Sequence, residues 1–439
     1  MHLGLVIEGR TSRELVDSVE RSVQEGLATP GDVMPSVRSL AGTLGISPAT
    51  VAAAYRDLRT RGVLTSEVGK HTKISPRPPL ASRVTTSLPE GVRDLSDGNP
   101  DPLLLPSLTE TAHRLVMGHY RYGDATAVPG MVKLGMQVFS EFDLPEDQLC
   151  LTSGAMDGVE RVLATWLKPG DKVLVEDPCY TAILDLVRSA GLTPVPVTID
   201  EYGPTPAALD EALSERPAAC ILTPRAQNPT GAAIDAERAA ELTTVLDAHP
   251  NVVLIENDHA GPVAGQPYHT LTSGRRHWVV IRSVSKSLGP DLRLAFLAGD
   301  RMTVSRVEGR QRLGAGWVSQ VLQHMVLQLS ADPKVGELVV RAEHTYTQRR
   351  QALLDALAAR GVTATGRSGL NIMIPVSEEA APLRRIQELG WVLRAGEPHR
   401  LATPPFLRVT TSTLEPSQAE ELADAIARTL HPNRRSHHA

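Results

Sequence analysis

Four short apolar runs, Lys172–Glu176, Ala219–Thr223, Val252–Glu256 and Trp278–Arg282, lie along the middle of the chain with helix-length segments between them. Unbroken apolar runs of this length suit strands buried on both faces, and strands that alternate with helices assemble as a parallel sheet through right-handed crossovers. The spacing predicts an α/β core with a mostly parallel sheet. Ligands of such a sheet bind at the carboxyl ends of its strands, so the residues just after each run are the first candidates for chemistry.

Those residues are polar. Thr152-Ser153-Gly154-Ala155-Met156-Asp157 opens a helix, whose free N–H groups suit a phosphate. Glu176-Asp177-Pro178-Cys179-Tyr180 ends the first run with an aromatic ring, and Asn228-Pro229-Thr230-Gly231 is a stiff loop offering one amide. Ile255-Glu256-Asn257-Asp258-His259 ends the third run. The fourth is followed by Ser283-Val284-Ser285-Lys286-Ser287-Leu288-Gly289-Pro290-Asp291-Leu292-Arg293. One lysine among hydroxyls with an arginine seven residues on is what pyridoxal 5'-phosphate (PLP) requires: an amine for its aldehyde, and hydroxyl and guanidinium groups for its phosphate dianion. A lone lysine of this kind is more often a surface residue; the Asn228 loop upstream and Arg293 downstream favour the cofactor.

Residues 1–75 follow a different pattern. Thr11-Ser12-Arg13-Glu14 reads as a capping box, and Leu15, Val19, Val23 and Leu27 form one apolar stripe. Ser36 caps a second helix that Gly45 ends. Ser47-Pro48 opens a third, with Val51, Ala54, Tyr55 and Leu58 facing inward as far as Gly62. Two short strands, Val63–Ser66 and Thr72–Ser75, follow. This is the order of a winged helix-turn-helix, in which the third helix enters the major groove and the wing lies on the backbone. The chain carries a net charge of −5, so a DNA grip must be local. Between Arg38 and Lys73 six Lys/Arg stand against two acids, which supplies it.

Residues 76–93 are rich in Pro, Ser and Thr and read as a semi-extended linker to an effector domain over 94–432. A smaller C-terminal α/β subdomain is expected from near Arg341. Residues 433–439 read as a disordered tail. Three cysteines without a CxxC pair give no disulfide framework and no metal site. No leader and no apolar run of about 18 residues is apparent, so the chain is expected in the cytoplasm without a membrane span.

The run from Pro30-Gly31-Asp32 through Pro35-Ser36-Val37-Arg38, Ser47-Pro48-Ala49-Thr50-Val51 and Ala54-Tyr55-Arg56-Asp57-Leu58 resembles the GntR family of bacterial repressors. The resemblance implies DNA contacts at Arg38, Ser47, Thr50 and Gly69, with Lys70 beside the last. Pro48 stands where a base-contacting arginine is common. Residues 94–430 resemble the fold type I PLP enzymes, the aspartate aminotransferase superfamily. The two together resemble the MocR-type subfamily of GntR regulators, some of which control PLP synthesis.

That resemblance implies that Lys286 is the Schiff-base lysine and that Ser283, Ser285 and Arg293 bind phosphate with backbone help from Ala155 and Met156. Tyr180 stacks on the pyridine ring and Asn228 meets the phenolic oxygen. Tyr122 reaches the phosphate of a partner subunit, which implies a homodimer, and Arg408 grips a substrate carboxylate. Either Asn257 or Asp258 faces the ring nitrogen, Asn257 being favoured. An acid there supports transamination, whereas an amide does not. His259 stands where many relatives have tyrosine and either touches the phenolic oxygen or packs. Arg225 and Cys179 read as structural. The function implied is a regulator that binds operator DNA and senses PLP, or its adduct with an amino compound. The alternative is an active aminotransferase with an autoregulatory DNA-binding head.

Overall fold

The computed structural model describes residues 7–65, 71–75 and 91–431. The N-terminal head forms around its own core of Leu15, Val19, Leu40, Val51, Ala54, Tyr55, Leu58 and Ile74. Its first helix, Ser12–Gln24, starts at the predicted capping box of Thr11 and Glu14. The second, Val37–Leu44, runs from Ser36 to a left-handed Gly45. The third, Pro48–Thr60, has Ser47 as its cap and proline in its first turn. Strands Leu64–Thr65 and Lys73–Ile74 pair antiparallel. The expected first-helix stripe is one turn too long. That helix ends at Gln24, and Leu27, 51% exposed, lies in the turn beyond it. The predicted wing tip, with Gly69 and Lys70, lies outside the described residues, as do most of the linker and the tail.

The larger part of the chain is built on an eight-stranded sheet in the order Leu149–Thr152, Ala295–Gly299, Trp278–Ser283, Val253–Asp258, Ala219–Leu222, Lys172–Asp177, Thr193–Asp200, Gly203–Pro204. All four predicted strands are in it. Trp278–Ser283, Val253–Asp258 and Ala219–Leu222 run parallel. Ala295–Gly299 is antiparallel to both its neighbours, and Gly203–Pro204 is antiparallel to Thr193–Asp200, so the mostly parallel sheet has a reversed strand towards each edge.

The smaller C-terminal subdomain has a three-stranded sheet of Asn371–Pro375, Phe406–Thr410 and Arg394–Ala395. The expected boundary at Arg341 falls inside one continuous helix, Pro333–Ala359. Val335 on that helix packs in the core beneath the large sheet, while Leu353 and Leu357 pack in the core of the small subdomain. The small core also takes in Leu95, because Arg93–Asp94 pairs with Trp391–Val392. Arg93 is therefore already a strand residue, not the end of a linker.

Candidate functional site

The carboxyl ends of the central strands open into a cavity of about 260 Å³. Ala155, Met156, Tyr180, Asn228, Asn257, His259, Ser283, Ser285, Lys286, Arg293 and Arg408 all line it. These residues are far apart in sequence, and the sheet topology brings them to one rim.

One end of the cavity is built for an anion. The helix Ala155–Trp166 points its N-terminus there, where the first-turn amides have no intrahelical acceptor. Arg293 lies across that end and donates to Ser153 O at 3.3 Å. Gly154 permits the approach: its φ is +96°, and a Cβ on it would stand 2.8 Å from Arg293 Nη2. Ser283 Oγ bonds Ser285 Oγ at 3.1 Å, so the two hydroxyls form one small donor group.

Lys286 Nζ donates to Gly98 O at 2.6 Å. Burial brings its pKa down to about 8, with Asp97 opposing the shift and Arg408 adding to it. A lysine so placed is partly neutral near physiological pH and hence nucleophilic. Burial also depresses His259, to about 4, and the charge of Lys286 works in the same direction. His259 is thus a neutral ring, within 3.0 Å of Ala226 O. Arg408 donates to Asn228 Oδ1 at 3.1 Å and to Ser96 O. Burial first, then the charge of Arg394, lowers it to about 10.

Neighbouring residues on a strand face opposite ways, and this separates Asn257 from Asp258. Asn257 lines the cavity. Asp258 is fully buried on the other face, where Arg225 Nε and Nη2 bind it at 2.9 Å each and Arg282 Nε at 3.1 Å. Burial works against its charge, but the bonds and charges of these two arginines prevail and hold it below the usual carboxylate range. Asp258, named as a cofactor residue from the sequence, therefore does not line the cavity. Arg225 holds it there, which is the structural role expected. Tyr122 is also absent from the cavity: it is 94% exposed, with its ring edge-on to Trp317. Cys179 is a buried thiol. Asp97, Gly98, Asn99 and Pro290 line the cavity too and were not anticipated. The turn-rich Asp97-Gly98-Asn99-Pro100-Asp101 was the available signal.

The residues present fit PLP. Two serines, an arginine and a helix N-terminus suit its phosphate, a partly neutral lysine suits its aldehyde, and the orphaned Asn257 Oδ1 is a buried polar atom without a partner among the described residues. Bound there, PLP supplies an aldehyde that captures amines and a ring that withdraws electrons.

In the head, Ser47 Oγ accepts from Thr50 N at 3.1 Å and lies 2.9 Å from Thr50 Oγ1. These two predicted DNA contacts are thereby fixed at the exposed start of the third helix. Arg38 and Pro48 are exposed.

Head and cavity define a DNA-binding regulator with a PLP-binding, aminotransferase-like domain. The chain belongs to the family of class I and II aminotransferases, which matches residues 92–426, and its residues 11–74 match the gntR family of bacterial regulatory proteins. This pairing is the MocR-type architecture. Over 97% of its length the chain is 37% identical to the whole of the vitamin B6 salvage pathway transcriptional repressor PtsJ of Salmonella typhimurium. It is 26% identical to the pyridoxine biosynthesis regulator PdxR of Corynebacterium glutamicum, across 78% of each chain. Among solved structures it resembles the α-aminoadipate aminotransferase LysN of Thermus thermophilus, with 22% identity and a TM-score of 0.70 over 78% of this chain and 93% of that one. No described helix is long and apolar enough to cross a membrane.

Proposed function

We propose that this chain is a homodimeric, cytoplasmic regulator that binds operator DNA and senses PLP to control genes of vitamin B6 metabolism. The observation that carries this reading is the convergence of Lys286, Arg293, Ser285 and Asn228 on one cavity in a chain that begins with a helix-turn-helix. The names of PtsJ and PdxR support the vitamin B6 assignment. Lys286, Ser283, Ser285, Arg293, Tyr180, Asn228 and the amides of Ala155 and Met156 would hold the cofactor. Tyr122, exposed as it is, would reach the phosphate of the partner subunit.

PLP is the effector that the cavity lining supports directly, and an adduct with an amino acid would add a carboxylate at Arg408. Arg408, the residue that would grip a carboxylate, already gives both terminal nitrogens to Asn228 and Ser96. A carboxylate there would have to use the remaining N–H groups, among them Nε, which is buried without a partner among the described residues. A ligand biases a regulator only through unequal affinity for its two shapes, and half-sites about 34 Å apart make the spacing of two heads decisive.

The test is binding of the full-length protein to its own upstream DNA, with and without PLP, at fixed salt. Specific binding that PLP alone changes supports the reading. Specific binding indifferent to PLP leaves a regulator with another effector. Sustained cycling of the cofactor between an amino acid and an oxoacid, with no specific DNA binding, would favour an aminotransferase.

A further inference from the structure

The strand Val253–Asp258 is buried along its whole length. Its two carboxylates, Glu256 and Asp258, share the face turned away from the cavity. Each is held there by its own partners: Asp258 by Arg225 and Arg282, and Glu256 by Tyr268, Thr270 and the Leu271 amide. Asn257 is what remains on the cofactor face. It is 3% exposed, and its Oδ1 is buried without a partner among the described residues. Leaving a buried amide unpaired is costly, so a side chain held this way points to a partner supplied by the ligand.

We infer that Asn257 is the partner of the PLP ring nitrogen and holds that nitrogen unprotonated at neutral pH. The site thus captures the cofactor without the charged ring on which amino-group transfer depends. This rests on the reading of the cavity as a PLP site. A carboxylate beside the ring nitrogen stabilises the protonated ring by opposite charge, and an amide carries no charge to do so. The amide can turn to donate its N–H to a neutral ring nitrogen, since its two ends differ only in hydrogen bonding. The other groups lining the cavity reinforce this. Arg408 opposes a further positive charge, while His259 is neutral. The one carboxylate lining it, Asp97, is bound to the Asn99 backbone and side-chain amides, and its charge acts on Lys286 and Arg408.

The test is the nitrogen NMR resonance of ¹⁵N-labelled PLP bound to the full-length protein at pH 7. The native protein should show the resonance of a neutral pyridine. In Asn257→Asp the ratio of protonated to neutral ring should rise about ten- to a thousandfold, as an adjacent opposite charge moves a pKa by about one to three. The visible band of that variant should also decay faster on adding an amino acid. A protonated ring in the native protein overturns the inference, and so does an unchanged ring in Asn257→Asp. Should Asn257→Asp fail to fold, the native resonance decides alone. DNA binding measured on the same preparation keeps the readings apart: indifference to PLP removes the sensor and leaves the ring assignment standing. Failure of PLP to bind at all removes both.

Discussion

Arg225 Nη2 lies 2.9 Å from Asp258 Oδ2, and the Asp258 side chain has no solvent exposure. This pair fixes which way the end of the Val253–Asp258 strand faces, and so which residue meets the cofactor. Removing one partner of a buried ion pair costs about 3–5 kcal/mol, because the other is left charged in a poor solvent. Arg282 remains beside Asp258, so Arg225→Met should fall at the low end, about 3 kcal/mol. Urea denaturation of the cofactor-free protein measures it, and a loss below about 1 kcal/mol would show that the pair does not hold the strand.

Burial of Lys286 gives a pH dependence with a definite sign. Its pKa stands near 8 when folded, against an ordinary value of 10.5. Only the neutral amine captures an aldehyde, so the rate of PLP capture should rise about tenfold from pH 7 to pH 9 and then level off. Stability of the cofactor-free protein runs the same way. Between pH 8 and 10.5 the unfolded chain binds more protons than the folded one, so the cost of the buried ammonium is full below pH 8 and lifts as pH rises. Lys286→Ala should abolish the visible band and flatten both profiles. An unchanged band in that variant refutes the lysine assignment.

Much of this site was legible in the sequence because its parts are local. Lys286, Asn228 and Arg293 sit in short segments whose residue types state their chemistry, and four strands announced themselves as apolar runs. What the sequence left open depends on neighbours. Asn257 and Asp258 differ by one position, and only the capture of Asp258 by Arg225 and Arg282 decides their faces. Asp97 and Gly98 lie in a turn-rich run that states no cofactor chemistry, and they enter the site through the fold. Ala295–Gly299, a reversed strand, is short and rich in small residues, and nothing in such a run gives its direction. Leu27 continued the period of a helix that the chain had already ended at Gln24.

Arg293 makes a claim about phosphate that pyridoxal can isolate. Hydrogen bonds to a charged partner contribute about 1.5–3 kcal/mol, so Arg293→Ala should weaken PLP binding about ten- to a hundredfold or slightly more. Arg293→Lys should recover only part of this, since an ammonium lacks the planar fork. Pyridoxal, which has no phosphate, should bind the native protein and Arg293→Ala alike. Equal losses for PLP and pyridoxal would place Arg293 outside the phosphate site.

The head separates residues that hold DNA from residues that hold the reading helix. Arg38 is exposed at the start of the second helix, so its contact is with phosphate: Arg38→Ala should weaken binding about equally on specific and unrelated DNA and reduce the salt slope by about 1. Ser47 differs, because its hydroxyl caps the third helix by accepting from Thr50 N. Ser47→Ala should cost about 1 kcal/mol of stability in the head and weaken specific binding without changing the salt slope. Ser47→Asp keeps the cap but adds a negative charge at the groove. It should restore stability while leaving DNA binding weak. Fluorescence anisotropy across a salt series, read beside thermal melts, distinguishes these outcomes. Full DNA affinity in Ser47→Asp would confine Ser47 to capping and remove it from the interface.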